Sequence, residues 1–239
     1  MENSKNPVIP KAESWKMFDT ISPRYDFLNH VLSLGQDIRW RRQLPRYLPP
    51  GEGLIVLDLA TGTADVAMIL AQSYPRVRTV HGVDMAEKML AIANRKVEAA
   101  RLKDRIILQK GDAQALPFVE NTFDAAAIAF GIRNVGDLRL GLMEMYRVLK
   151  KGGRVLVLEF SIPGNVFLRA GHRVYLNWIV PAVGFLLSGN WKAYRYLNQT
   201  VASFPYGERF CKILKQMGFT RIHAHPLMGG AATIYVGEK

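Results

Sequence analysis

Residues able to do chemistry fall at the ends of three aliphatic runs. The first is Val56-Leu57-Asp58-Leu59-Ala60-Thr61-Gly62-Thr63-Ala64-Asp65. Gly62 lets the backbone approach a ligand with no Cβ in the way. Thr63 precedes a helical stretch whose unpaired N–H groups can hold an anionic group. Val83-Asp84-Met85 ends the second run. Asp84 follows the glycine by about 20 residues, where nucleotide-binding folds place an acid that accepts both ribose hydroxyls. Gly111-Asp112-Ala113 ends the third. A carboxylate beside a backbone N–H there suits an adenine amino group and ring nitrogen. Taken singly, Gly62 is a turn residue and each acid a strand-end cap. Together they describe a site for a cofactor with a carboxylate, a ribose and an adenine. A nicotinamide dinucleotide calls for G-x-G-x-x-G, and this loop has glycine only at 62. The pattern favours S-adenosylmethionine, with Gly62, Thr63, Asp84, Met85, Asp112 and Ala113 as its contacts.

Alternating strands and helices must hold these points together. Leu54–Leu59 is near-continuously aliphatic, as in a strand buried on both faces of a parallel sheet. Thr79–Val83, Ile106–Lys110, Phe123–Ala129 and Arg154–Glu159 read as further strands. Ala64–Gln72, Ala86–Ala99 and Leu138–Leu149 read as helices between them. The alternation predicts right-handed βαβ units in a doubly wound α/β sheet. Before it, residues 14–48 are helical, with Trp15, Phe18, Ile21 and Tyr25 at helical spacing. Ser22-Pro23 breaks the run, and a second helix starts near Arg24. After it, Asn165–Met217 is a mostly helical, aromatic-rich insertion. Arg221–Ala224 and Ala232–Gly237 form a final hairpin, which adds an antiparallel edge strand. The whole reads as one domain over residues 1–239.

The 239 residues, 49% hydrophobic, suffice for one sizeable core. A single cysteine, Cys211, precludes an intrachain disulfide and suits a reducing cytoplasm. The polar start, Met1–Glu13, has no export signal core. No run reaches the roughly 18 apolar residues of a membrane span. The net charge of +12 is compatible with nucleic acid, an anionic membrane or an anionic small molecule. Its basic residues are dispersed, with no appended binding domain, so a nucleic-acid partner is not expected. A non-catalytic cofactor-binding protein and a methyltransferase for another lipophilic small molecule are the remaining rivals.

Two further stretches are more specific. One is Tyr25-Asp26-Phe27-Leu28-Asn29, with Ser33-Leu34-Gly35 and Arg39-Trp40 after it. The other is Arg147-Val148-Leu149-Lys150-Lys151-Gly152-Gly153, leading to Leu158-Glu159-Phe160-Ser161. With Leu116-Pro117-Phe118, Asn121-Thr122-Phe123-Asp124 and Phe130-Gly131-Ile132-Arg133-Asn134-Val135, they resemble the ubiquinone/menaquinone-biosynthesis C-methyltransferase family from about Trp15 to the C-terminus. The resemblance implies a class I methyltransferase, Rossmann-like fold. It implies ring C-methylation of a polyprenylated quinol, either demethylmenaquinol or its ubiquinol-pathway counterpart. Thr63, Asp84, Asp112 and Ala113 match the family's cofactor positions. The chain departs from the family at Asp37-Ile38, where His and a basic residue are usual, and at Ile162, where Lys is usual.

A sulfonium methyl is already activated, so the protein must supply geometry and a nucleophile. A ring carbon becomes nucleophilic when its neighbouring hydroxyl loses a proton. Arg133 would stabilise the resulting phenolate and Asn134 would orient it. Asp26, or His30, would take the proton if residues 1–48 form a lid. The bland alternatives are an Arg133–carboxylate pair, Asp26 and Asn29 as helix caps, Tyr25 in the core and a packing role for His30. Cys211 reads as core. His223 and His225 share a strand face, but no metal-ligand set accompanies them. Phe167–Leu187 would pack on the sheet and line a prenyl groove, with Arg169, His172 and Arg173 suited to transient membrane-surface contact. Monomer and homo-oligomer both remain open.

Overall fold

The computed structural model describes residues 10–22, 25–73, 76–180, 182 and 191–239. Val56 and Leu57 are adjacent, point to opposite faces of a sheet and are both fully buried. That double burial follows from seven strands with helices on both faces. The strands are β1 (Leu54–Leu59), β2 (Val77–Asp84), β3 (Ile106–Lys110), β4 (Phe123–Ala129), β5 (Leu149–Phe160), β6 (Thr220–Leu227) and β7 (Ala232–Glu238). Their order is β3-β2-β1-β4-β5-β7-β6. The first five are parallel, and β7 runs antiparallel to both β5 and β6.

The helices are α1 (Ser14–Ile21), α2 (Tyr25–Leu32), α3 (Gln36–Arg41), α4 (Asp65–Ser73), α5 (Glu87–Ala99), α6 (Leu138–Val148), α7 (Val166–Val174), α8 (Trp191–Ser203) and α9 (Glu208–Gln216). On one face Val56, Val80 and Leu156 pack with Leu70 of α4, Ala93 of α5 and Trp40 of α3. On the other, Leu57, Ile128 and Val157 pack with Met145 of α6 and Phe210 and Leu214 of α9. In α9 those two residues form the apolar stripe at i, i+4, while Arg209, Lys212 and Lys215 face water. The Asp137 carboxylate caps α6 by accepting from Arg139 N at 2.8 Å and Leu140 N at 3.2 Å. No described helix is long and apolar enough to cross a membrane.

The strands and helices predicted from residue 54 to 160 are present, with shifted ends. β5 begins at Leu149, not Arg154, because Leu149 pairs with Phe123 across a register shift. The Gly152-Gly153 turn permits this. A Cβ on Gly153 would lie 2.8 Å from the Lys150 carbonyl oxygen and 3.0 Å from that of Asp124. The C-terminal hairpin adds the expected antiparallel pairing at the edge of the sheet. Its last strand, β7, lies inside the sheet between β5 and β6, so β6 is the edge. Periodicity does not encode which arm of a hairpin docks, but burial does: β7 is buried along nearly its whole length and β6 mostly exposed. In the insertion, α7 continues through a π turn at Tyr175–Ile179, and Pro205 and Gly207 separate α8 from α9. The Pro23–Arg24 break and residues 183–187 of the apolar stretch lie outside the described residues.

Candidate active site

The carboxyl ends of β1, β2 and β4 open into one cleft. At its centre the Asp84 carboxylate accepts from Gly62 N and Ala86 N, each at 2.8 Å. Burial pushes its pKa up, and these backbone N–H groups oppose the shift. A carboxylate has about four lone-pair sites, so two remain for a diol. Gly62 (φ 56°) and Ala60 (φ 51°) turn the chain sharply after β1. Phe130 (φ 56°) does the same after β4. Left-handed backbone at a non-glycine residue costs on the order of 1 kcal/mol or more and concentrates at functional sites. The two turns nearly touch: a Cβ on Gly131 would lie 2.7 Å from the Ala60 Cβ.

Beneath the β1 turn, Asp58 Oδ2 accepts from the Thr61 hydroxyl at 2.5 Å and from Ala67 N at 3.1 Å. The carboxyl thus ties the strand end to the first turn of α4. Burial pushes its pKa up to about 7. On the far side of the cleft, Asp112 Oδ1 accepts from Gln114 N at 2.9 Å.

Gly62, Asp84, Met85, Asp112, Ala113 and Asn134 all line this cleft. Thr63 is not among the lining residues. It is buried, and its hydroxyl donates to Asp26 Oδ1 at 2.6 Å. Asp26 does not line the cleft either. Its other oxygen holds Lys96 Nζ at 2.9 Å, and Lys96 also pairs with Asp65. Burial works against the Lys96 charge, but Asp65 and Asp26 hold its pKa above the ordinary range. The network clips α2 to α4 and α5. Asp19 Oδ1 adds a second clip by accepting from Lys88 N at 3.0 Å. Held this way, the N-terminal helices put Trp15, Phe18 and Tyr25 into the cleft wall. In the sequence Trp15 and Phe18 read only as part of a periodic apolar stripe, whereas Tyr25 also opens the family motif.

A second cavity lies behind Tyr25 and Phe130, which line both. Its walls are apolar, including Trp40, Phe160, Leu168 and Val201. Arg133 opens onto this cavity and not onto the first. Its Nη1 donates to Glu159 Oε1 and to the Phe130 carbonyl, both at 2.6 Å. Burial pushes Glu159 up, and Arg133 opposes that. The pairing of Arg133 with a strand-end carboxylate is therefore realised. Next to it, Asn134 Oδ1 is buried with no partner among the described residues. His30 Nδ1 lies 2.9 Å from Asp37 Oδ2. Asp37 also accepts from Ser33 Oγ at 2.6 Å and from Arg41. Nothing in the sequence flagged Arg41.

The first cleft fits S-adenosylmethionine. Asp84 keeps acceptor capacity, and Asn134 Oδ1 is buried at the cleft wall with no partner among the described residues. The sheet order and this site define a class I S-adenosylmethionine methyltransferase. A putative S-adenosyl-L-methionine-dependent methyltransferase from Methanococcus maripaludis has the same fold, with a TM-score of 0.63 at 22% identity, covering 100% of this chain and 97% of that one. Residues 8–239 match the ubiE/COQ5 methyltransferase family, and the chain belongs to it. The ubiquinone/menaquinone biosynthesis C-methyltransferase UbiE of Geotalea uraniireducens is 43% identical over 94% of this chain and 95% of its own length. The demethylmenaquinone methyltransferase of Thermus thermophilus is 44% identical over 93% of this chain and 100% of its own. The chain is an S-adenosylmethionine-dependent C-methyltransferase.

Proposed function

We propose that the chain methylates a ring carbon of a polyprenylated quinol, most directly demethylmenaquinol to menaquinol. The observation that carries this is the shared wall. Tyr25 and Phe130 border both the cofactor cleft and the apolar cavity, so a ring lodged between them has the donor on one side and room for a hydrocarbon tail on the other. The names of the relatives point to the same chemistry.

Asp84 binds the ribose, Asp112 with the Ala113 N–H reads the adenine, and the turn at Gly62–Thr63 faces the methionine end. Bound there, the cofactor supplies the sulfonium methyl. The protein's part is to make the ring carbon nucleophilic and hold it in line. Asn134 Oδ1 accepts from the ring hydroxyl next to the reacting carbon. Arg133 stabilises the oxygen as its charge grows. With Glu159 beside it, that field is weaker than a lone guanidinium would give.

The prenyl tail follows the apolar cavity, whose open volume is about 1300 Å³. At its rim Leu168 and Met228 are exposed, and Phe167 (86% exposed) and Trp178 (75%) stand nearby on α7 and its π turn. Exposed apolar patches of this kind mark interaction sites. Arg169 and Arg173 on the same helix suit an anionic lipid surface. Transient contact there would let the tail pass between bilayer and cavity.

The test is incubation with labelled S-adenosylmethionine and either reduced demethylmenaquinone or the 2-methoxy-6-polyprenyl benzoquinol. Label in the naphthoquinol supports the reading. Label in the benzoquinol alone moves the enzyme to ubiquinone synthesis, and label in neither overturns the quinol assignment.

A further inference from the structure

The apolar cavity has a polar floor, and one member of it lacks a role in the mechanism above. Arg41, on the last turn of α3, lines the cavity with its side chain only 7% exposed. Its Nη1 donates to Asp37, and its guanidinium carbon sits 5.3 Å from the centre of the Phe130 ring. Asp37 is fully committed, holding Arg41, Ser33 Oγ and His30 Nδ1. Burial works against its charge, but Ser33 and Arg41 hold its pKa below the ordinary range. The pair is therefore ionised and oriented from behind. An arginine has five N–H groups, and among the described residues only Nη1 of Arg41 has an acceptor. Arg133 also donates only through Nη1, to Phe130 O and Glu159, but its carboxylate partner is held by backbone N–H groups alone, whereas Asp37 also takes Ser33 Oγ and His30 Nδ1. A nearly buried, oriented cation with free donors, opening onto an apolar cavity, is built to take an oxygen that arrives with an apolar ligand.

We propose that Arg41 binds the second ring oxygen of the acceptor, so that a 1,4-diol is read at two points. One oxygen lies at Arg133 and Asn134, next to the reacting carbon, and the other at Arg41. This rests on the quinol reading given above. It assigns a specificity role to Arg41 and a positioning role to Asp37. An acceptor with a single hydroxyl leaves the remaining N–H groups of Arg41 without an acceptor in a nearly buried site. The diol should therefore be preferred by about 10- to 100-fold in kcat/KM, the range for a hydrogen bond to a charged group.

The experiment compares reduced demethylmenaquinone with a naphthol of the same tail that keeps only the hydroxyl next to the reacting carbon. Both are assayed on one preparation of each enzyme, so their ratio does not depend on the folded fraction. In the wild type the diol is preferred. In Arg41→Met combined with Asp37→Asn, which leaves no orphan carboxylate, the preference falls towards unity, while the dissociation constant for S-adenosylmethionine stays within about twofold. Arg41→Lys, which keeps the ion pair, shifts the ratio the same way by less. A preference unchanged in both variants overturns the role of Arg41 alone. A wild type that methylates neither acceptor overturns the quinol reading and this inference with it.

Discussion

Arg133 and Glu159 form an ion pair of 2.6 Å in which neither side chain is more than 6% exposed. The pair joins the turn after β4 to the end of β5, where the cofactor cleft and the apolar cavity meet. Removing one partner strands the other charge in a dry site, which costs about 3–5 kcal/mol, whereas replacing both by apolar groups costs far less. Chemical denaturation should therefore find Arg133→Leu markedly less stable than the wild type, with much of the loss regained in Arg133→Leu/Glu159→Leu. A single variant as stable as the wild type would show that the pair is not buried in solution.

Asp84 accepts from Gly62 N and Ala86 N, and in the proposed site its remaining capacity takes the ribose. In Asp84→Asn the charge-assisted bonds are lost, and affinity for S-adenosylmethionine should fall by about 10- to 100-fold by calorimetry. Unchanged affinity would remove Asp84 from the cofactor site.

Asp26 is bound into the Lys96 network, and we propose that it serves structure and not proton transfer. Asp26→Asn should raise KM for S-adenosylmethionine by loosening α2, yet leave the pH dependence of kcat where it is in the wild type. A base role would instead abolish or shift the limb of that profile.

Asp58 gives a pH signature. Its pKa is about 7 in the fold, against 3.8 when unperturbed. Between those values the native state binds the proton that the unfolded chain releases, so stability falls as pH rises from about 4 to 7. The full difference is on the order of 4 kcal/mol. Asp58→Asn should gain stability relative to the wild type across that window and run parallel to it above and below. Denaturation midpoints taken at several pH values will show a constant gap if Asp58 titrates normally.

The sheet was legible because strands buried on both faces leave aliphatic runs, and β1, β3 and β4 match those runs residue for residue. Asp84, Asp112 and Gly62 were legible for a related reason, since in a doubly wound sheet the strand ends converge. The motif Arg147–Gly153 was legible as a family mark, and its work proves structural. Arg147 donates to the Leu116 and Phe118 carbonyls, at 3.0 and 2.7 Å, and so pins the loop that precedes β4. Partner choice was not legible. Nothing local tells Asp26 to meet Lys96, 70 residues away, or Arg133 to meet Glu159. Arg41 looked like one more basic residue in a basic chain until α3 packed it against Phe130. The position of β7 inside the sheet follows from which arm of the hairpin buries more apolar surface against β5, and that too is a tertiary choice.

Methyl transfer to carbon is the central claim, and the position of the transferred methyl tests it most directly. With ¹³C-methyl S-adenosylmethionine and reduced demethylmenaquinone, NMR of the product should show the labelled methyl bonded to a ring carbon. A labelled methoxy group, or an unlabelled quinol recovered beside intact cofactor, would contradict it.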